Sequence, residues 1–151
     1  VQHPTFGSFS PSDAYFQAII DWQWRRNGVE CLTSDAIGYE NGVLGGIMST
    51  IAAYAAPGDP VLLHSPTYVG FTHVLSINGY RTVLSLLVRV ASGIWRMDYA
   101  DMERKFKENH IHVVVFCSPH NSCGRVWEQS ELEQAMELFE RYDCVVISDE
   151  I

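Results

Sequence analysis

The sequence comprises 151 residues, the length of about one ordinary domain. Hydrophobic residues make up 47% of it and charged residues 19%, a composition that excludes a disordered or low-complexity chain. Ten Lys and Arg against eighteen Asp and Glu give a formal charge of −8, which argues against a nucleic-acid partner and against an anionic membrane surface.

The cysteines and the uncharged stretches bear on where the protein resides. Four scattered cysteines are too few for a secreted disulfide framework, and residues 1–4 lack the basic and apolar regions of a signal peptide. Residues 41–58 and 60–80 carry no Asp, Glu, Lys or Arg, but glycines and prolines interrupt both. We therefore expect a cytoplasmic protein with reduced thiols, in which these two stretches are buried segments and not membrane spans.

The first third of the chain predicts two helices and one strand. Ser10 is a suitable N-cap for a helix that Gly28 can end. Residues 31–37 are a plausible short strand. From Gly42 onward the sequence predicts an almost uncharged helix, which ends near residues 57–59.

The remainder alternates between strands and helices. Strands are predicted at residues 61–64, 81–88, 113–117 and 144–148. Helices are predicted at residues 69–77, after an Asp98 N-cap, and after a capping box that begins at Ser130. The last of these would bury a stripe formed by Leu132, Ala135, Met136 and Phe139. Short apolar strands between amphipathic helices indicate an α/β fold with a three-layer, mostly parallel sheet.

Polar residues directly after the predicted strands are the candidate site, because open α/β sheets bind ligands beyond the carboxyl ends of their strands. Tyr68, Asn121 and Asp149 follow three of these strands. A glycine-bearing helix start at residues 41–46 adds free N–H groups that can hold a phosphate. This set suits a flat, phosphorylated heteroaromatic ligand that carries a protonated ring nitrogen.

Each member of the set also has a purely structural explanation. The glycines can serve packing or capping, Tyr68 can be a core residue, and Asn121 can cap its own turn. Asp149 is the hardest to explain in this way, because a carboxylate after four apolar strand residues needs a buried partner.

Two other sites can be imagined from the same residues. Asp149 resembles the carboxylate of a Walker B strand, but the phosphate-binding loop of such proteins is absent, and Lys105 and Lys107 lie on a charged helix that predicts a solvated face. Cysteines and histidines at 117, 120 and 123, with those at 110 and 112, match no common zinc spacing. We expect no metal site.

Five motifs, in order along the chain, resemble a known family. They are HPTFG at residues 3–7, PGDPV at 57–61, SPTYVGF at 65–71, CSPHNSCGRVW at 117–127 and ISDEI at 147–151. The chain resembles the fold-type I pyridoxal-phosphate enzymes of the class I/II aminotransferase superfamily, and within it the MalY/PatB-type cystathionine β-lyases, also called C–S lyases. The resemblance implies that pyridoxal 5'-phosphate is the cofactor.

The resemblance also implies a role for each site residue. Asp149 would pair with the pyridinium nitrogen, Asn121 would hydrogen-bond the 3-hydroxyl oxygen of the ring, and Tyr68 would stack on the ring face. The backbone N–H groups of Val43 and Leu44 would hold part of the phosphate.

The chain departs from the family pattern in three respects. Ser122 stands where the family usually has Pro, and Ser8 stands where it commonly has a Tyr that reaches the phosphate of the partner subunit. The Schiff-base Lys of the family is expected beyond Ile151, so the catalytic residues are unknown and we expect this chain alone to be inactive. Residues 1–30 would be an N-terminal segment and helix, and residues 31–151 the first part of the cofactor-binding large domain, whose remainder and small domain would be absent.

Three functions follow from the resemblance. The first is a C–S β-lyase acting on a sulfur-containing amino acid, and the second is an aminotransferase that passes an amino group to a 2-oxo acid. The third is a non-catalytic aminotransferase-like domain of a transcription regulator. For either enzyme, the expected partners are a small amino-acid substrate and a second copy in a homodimer, with no nucleic acid and no membrane.

Overall fold

The computed structural model describes residues 11–151, which fall into two compact units. One unit ends at Asn41, and the other spans Gly42–Ile151. The predicted division at residue 30 concerns the whole domain organisation and stays a prediction. No helix in the described part of the chain is long and apolar enough to cross a membrane.

The first unit contains helix α1 (Asp13–Asn27) and one turn of 3-10 helix (Ser34–Ala36). Gly28 ends α1 in the left-handed conformation (φ 68°), as predicted. The predicted N-cap, Ser10, lies outside the described part. The prediction is wrong because Ser12 caps α1, and its side chain accepts a hydrogen bond from the Tyr15 N–H at 3.4 Å.

The predicted strand at residues 31–37 is also wrong. The Ala36 N–H donates to the Thr33 carbonyl at 3.0 Å and the Ile37 N–H to the Ser34 carbonyl at 3.1 Å, which closes the 3-10 turn. Ser and Asp in this segment favour such local hydrogen bonds over pairing with a distant strand.

The second unit is built on a five-stranded sheet. Its strands are β1 (Pro60–Ser65), β2 (Arg81–Arg89), β3 (Trp95–Met97), β4 (Val113–Cys117) and β5 (Val145–Asp149). Their order is β3-β2-β1-β4-β5, and every pairing is parallel except that of β2 with β3. The four predicted strands and the mostly parallel sheet are confirmed, whereas the three-residue β3 was not predicted because it is too short to show a period.

Two helices cover each face of this sheet, so the predicted three layers are confirmed. Helices α2 (Val43–Tyr54) and α3 (Val69–Ile77) pack on one face through Ile47, Ile51, Phe71 and Leu75. Helices α4 (Tyr99–Asn109) and α5 (Gln129–Arg141) pack on the other through Met102, Phe106, Ala135 and Phe139. The central strands are apolar on both faces because both faces are covered.

Asp98 caps α4 as predicted, accepting a hydrogen bond from the Asp101 N–H at 2.9 Å, but α5 departs from prediction in two ways. Its N-cap is Glu128 and not Ser130, because the Glu131 carboxylate accepts a hydrogen bond from the Glu128 N–H at 2.8 Å. Met136 is 39% exposed, and Leu138 is buried in its place. Because the polar Glu131 lies on the buried face of α5, the spacing of the apolar residues alone does not indicate which face is buried.

Candidate functional site

Tyr68, Asn121 and Asp149 lie at the carboxyl edge of the central strands. Tyr68 follows β1, Asn121 lies in the loop after β4, and Asp149 is the last residue of β5. The chain leaves β1 for β2 on one side and reaches β4 on the other, so the strand order reverses between β1 and β4. Ligands of open α/β sheets bind at such a reversal.

The loops after β1 and β4 are held together across this reversal. Nε2 of His120 lies 2.7 Å from the Pro66 carbonyl oxygen, and the buried His120 ring packs against Trp127 with ring centroids 5.6 Å apart. Trp127 in turn donates from Nε1 to the Cys117 carbonyl at 3.0 Å. From the sequence, His120 was considered only as a metal ligand; its role in joining the two loops was not predicted, because it depends on a contact 54 residues away in the sequence.

The loop after β4 presents Asn121 at its tip. A 3-10 helix (Asn121–Cys123) ends at Gly124, whose φ of 58° is left-handed and whose N–H donates to the Asn121 carbonyl at 3.2 Å. Asn121 and Ser122 are both exposed. The turn is therefore closed by a backbone hydrogen bond, although Ser122 replaces the Pro that the family usually has at this position.

Asp149 has one carboxylate oxygen that the protein does not satisfy. Its Oδ2 lies 3.4 Å from the Cys117 sulfur, and its backbone carbonyl accepts from the Ser118 N–H at 2.9 Å. Its Oδ1 is buried and has no hydrogen-bond partner among residues 11–151. A buried carboxylate oxygen without a donor is costly, and a protonated ring nitrogen would supply that donor.

Tyr68 presents an aromatic ring at the same edge. The residue precedes α3, is 43% exposed, and places its ring edge-on to Phe71 with centroids 5.4 Å apart. The ring also lies across Gly70, because a Cβ at this glycine would come 2.3 Å from Cε1 of Tyr68. Glycine at position 70 therefore allows the ring to occupy this place.

The phosphate-binding groups predicted at Val43 and Leu44 lie at the N-terminus of α2. Gly42 precedes the helix with φ 79° and offers no side chain to cap it, so the first N–H groups, those of Val43 and Leu44, have no intrahelical acceptor. The other end of α2 lies at the amino edge of the sheet, where the Tyr80 hydroxyl, next to β2, donates to the Ala55 carbonyl at 3.3 Å. The N-terminus of α2 consequently faces the carboxyl edge.

The two lysines of the chain are engaged on α4. Lys105 pairs with Asp101 at 2.7 Å, hydrogen-bonds the Leu84 carbonyl and has a side chain only 16% exposed. The predicted solvated face is therefore wrong for Lys105, because this long side chain folds back onto the edge of β2. Lys107 matches it, with a side chain 62% exposed and paired with Glu103 at 3.1 Å.

Two of the residues considered for a zinc site, Cys117 and His120, make other contacts, with Asp149 and with the Pro66 carbonyl. Burial raises the pKa of the Cys117 thiol, and burial also raises the pKa of the Cys123 thiol. Within the described ranges, no group of three or more His, Cys, Asp and Glu side chains is arranged to hold a metal ion. Residues 3–7 and Ser8, which the resemblance singled out, lie outside the described part.

Comparisons with known proteins agree with the resemblance. A family model described as "Aminotransferase class I and II" matches residues 3–151. Cystathionine beta-lyase PatB of Bacillus subtilis is 29% identical over the whole of this chain, which covers 38% of that protein. The chain thus spans less than two-fifths of the length of this relative.

Two solved structures share the fold. A PLP-bound putative aminotransferase from Clostridium difficile 630 matches with a TM-score of 0.87 at 30% identity, covering 97% of this chain and 37% of that one. A PLP-bound C–S lyase from Staphylococcus hominis matches with a TM-score of 0.84 at 26% identity, covering 95% and 36%. The predicted α/β fold and family resemblance are confirmed.

Proposed function

This chain belongs to the class I and II aminotransferase family, and on that premise we propose that it is part of a pyridoxal-phosphate-dependent C–S β-lyase. The substrate class is a small sulfur-containing amino acid, and the protein works as a homodimer in the cytoplasm. Support for the lyase activity comes from the relatives, among which are a cystathionine β-lyase and a C–S lyase. Support for the homodimer comes from α1, which buries none of its residues and exposes Trp22 and Trp24.

The observation that carries the proposal is the buried Oδ1 of Asp149, which has no hydrogen-bond partner among residues 11–151. When bound, pyridoxal phosphate supplies an electron-withdrawing ring that stabilises negative charge at the α-carbon of an amino-acid substrate. Asp149 would keep a proton on the ring nitrogen by accepting its hydrogen bond, which maintains that withdrawal. An anionic acceptor at this position favours the protonated ring.

The other predicted residues would orient the cofactor. The exposed face of Tyr68 would stack on the ring, and the amide of Asn121 would donate to the 3-oxygen. The Val43 and Leu44 N–H groups would donate to the phosphate, which the positive end of the α2 dipole favours. The His120 contact with the Pro66 carbonyl would keep the Tyr68 and Asn121 loops at a fixed separation.

A second candidate is an aminotransferase, which the solved structure of the putative aminotransferase from Clostridium difficile favours. Both reactions begin with removal of the α-proton, and they diverge afterwards: a lyase expels the β-thiol, whereas an aminotransferase keeps the β-substituent and yields a 2-oxo acid. The residues described here bind the ring and not the β-substituent, so they serve either reaction.

The test uses the full-length protein that contains this chain. Incubated with cystathionine and no 2-oxo acid, it should release pyruvate, ammonia and a thiol. Turnover that requires a 2-oxo acid would replace the lyase by the aminotransferase, and absence of both turnover and cofactor binding would refute the proposal.

Borohydride reduction of the loaded protein followed by mass spectrometry provides a second readout. We expect the pyridoxyl group on a lysine beyond residue 151. A stoichiometric adduct on Lys105 or Lys107 would contradict the placement of the site, because both amino groups are held in ion pairs on α4.

A further inference from the structure

Cys117 lies next to the carboxylate that the proposed cofactor requires. The register of β4 and β5 pairs Cys117 with Asp149, so their side chains leave neighbouring parallel strands side by side. The Cys117 sulfur is 3.4 Å from Oδ2 of Asp149 and 3.1 Å from the Pro119 carbonyl oxygen. The cysteine is only 6% exposed, and its carbonyl is fixed by Trp127.

The same sulfur also contacts the loop that carries Asn121. Burial raises the pKa of the Cys117 thiol, the Asn121 backbone N–H acts on it in the opposite direction, and the Asp149 carboxylate raises it further. The net rise keeps the thiol protonated at neutral pH, and its single hydrogen has two acceptors within reach, the Pro119 carbonyl and Oδ2 of Asp149. Donation to the charged carboxylate forms the stronger of the two hydrogen bonds. One side chain therefore contacts both Asp149, which would pair with the ring nitrogen, and the backbone of Asn121, which would bind the 3-oxygen.

The two oxygens of Asp149 have different surroundings. Oδ2 receives the thiol, whereas Oδ1 is buried with no partner in the described part of the chain. A carboxylate held by one oxygen cannot rotate freely, and its other oxygen keeps a fixed direction. Pre-orientation of this kind improves binding by reducing the ordering that the ligand must impose.

We propose that Cys117 is a positioning residue, whose thiol holds Oδ2 of Asp149 so that Oδ1 faces the ring nitrogen of the cofactor. The inference rests on the proposed function, since it assumes pyridoxal phosphate as the ligand. Cys117 itself need not touch the cofactor. It acts through Asp149, so its effect must disappear when the ligand has no ring nitrogen.

The experiment measures the dissociation constant of pyridoxal phosphate for the full-length apoprotein and its variants by absorbance titration. Cys117→Ala and Cys117→Val both remove the donor, and Val keeps more of the side-chain volume. We expect each to weaken binding about three- to tenfold, the effect of losing a modest hydrogen bond to a charged group. Cys117→Ser restores a donor and should bind within about twofold of the wild-type protein.

A cofactor analogue with carbon in place of the ring nitrogen isolates the path through Asp149. The wild-type protein and Cys117→Val should bind this analogue equally. Cys144→Ala is the matched control, because Cys144 is a part-buried thiol that donates to the Ile111 carbonyl at 3.4 Å, away from Asp149. It should leave the affinity unchanged.

Three results would overturn the inference. They are wild-type affinity in Cys117→Val, Cys117→Ser as weak as Cys117→Ala, and an equal loss of affinity for the analogue without the ring nitrogen. The first of these results, combined with a loss in Cys117→Ala, would indicate that Cys117 contributes packing and not a hydrogen bond. Failure of the wild-type protein to bind pyridoxal phosphate would instead refute the proposed function, and the inference with it.

Discussion

Asp149 at the carboxyl edge of the sheet and Glu131 in the first turn of α5 are both shielded carboxylates, but their partners differ. Glu131 is 5% exposed, accepts the Glu128 N–H, and pairs with Arg96 at 2.8 Å and with Arg125. Asp149 receives one thiol and keeps a buried oxygen without a partner among the described residues.

Under the proposed function, this difference separates a structural carboxylate, Glu131, from a ligand-binding one, Asp149. Burial raises the pKa of Glu131, but the hydrogen bond from the Glu128 backbone N–H, and then Arg96 and Arg125, hold it below the ordinary value. The charge of Glu131 therefore stabilises the fold. Oδ1 of Asp149, in contrast, has no hydrogen-bond donor among the described residues and would receive one from a bound ligand. Substitutions at the two positions should consequently affect different properties of the molecule.

Loss of the structural carboxylate should have the largest effect. We expect Glu131→Gln to lower the free energy of unfolding by about 3 kcal/mol, the low end of the range for breaking a buried ion pair, because Arg96 is about one-third exposed. Urea denaturation of the full-length protein measures this change. Glu133→Gln on the exposed side of α5 is the control, and an equal cost for both substitutions would contradict the comparison.

Loss of the ligand-binding carboxylate should leave stability intact and reduce cofactor affinity. We expect Asp149→Ala to weaken pyridoxal phosphate binding about 10- to 100-fold, because a hydrogen bond to a charged group is lost. Titration of the apoprotein gives the affinity, and a thermal melt should show an unchanged or higher midpoint. Glu150→Gln removes the neighbouring exposed charge and should change neither property.

His64 extends the comparison to a buried base. Burial, and then the nearby His120, lower the pKa of His64 to about 3 from 6.5. Below pH 6.5 the unfolded chain binds a proton at His64 that the folded chain does not bind. The free energy of unfolding therefore decreases as the pH is lowered, by up to about 1.4 kcal/mol per pH unit.

The variant His64→Leu should flatten this acid slope between about pH 6.5 and 5, before the carboxylates with lowered pKa begin to protonate. Denaturation at several pH values measures the slope. Parallel curves for the wild-type protein and the variant would show that His64 does not cause it.

Gly70→Ala should have the smallest effect, a change in cofactor affinity alone. A Cβ would displace the Tyr68 ring, so we expect a two- to tenfold weaker affinity for pyridoxal phosphate, about the value of one aromatic stacking contact. Gly38→Ala, where a Cβ meets nothing within 4 Å, is the control. Equal affinities for Gly70→Ala and the wild-type protein would show that stacking by Tyr68 does not contribute to binding.

Features determined by local sequence were predictable. The five apolar residues of β4 and the Asp98 cap of α4 show their structure directly, and Asp149 stood out because a carboxylate ended an apolar strand. Features determined by distant contacts were not. The role of Cys117 depends on the register of β4 and β5, and that of His120 depends on a carbonyl in another loop.

The errors in the helices have a related cause. Ser10 and Ser130 have a capping propensity equal to or better than that of the observed N-caps, Ser12 and Glu128. The helix starts are set by the hydrogen bonds that Ser12 makes with Tyr15 and Glu128 with Glu131. Met136 and Leu138 are both apolar, and the inward position of Glu131 decides which is buried. Intrinsic preference is too weak to settle such choices.

The central claim is that Oδ1 of Asp149 accepts a hydrogen bond from a protonated ring nitrogen. The most direct measurement is the ¹⁵N NMR signal of pyridoxal phosphate labelled at that nitrogen, bound to the full-length protein at neutral pH. The account predicts a protonated nitrogen in the wild-type protein and an unprotonated one in Asp149→Ala. An unprotonated nitrogen in the wild-type protein, or a signal that Asp149→Ala leaves unchanged, would contradict it.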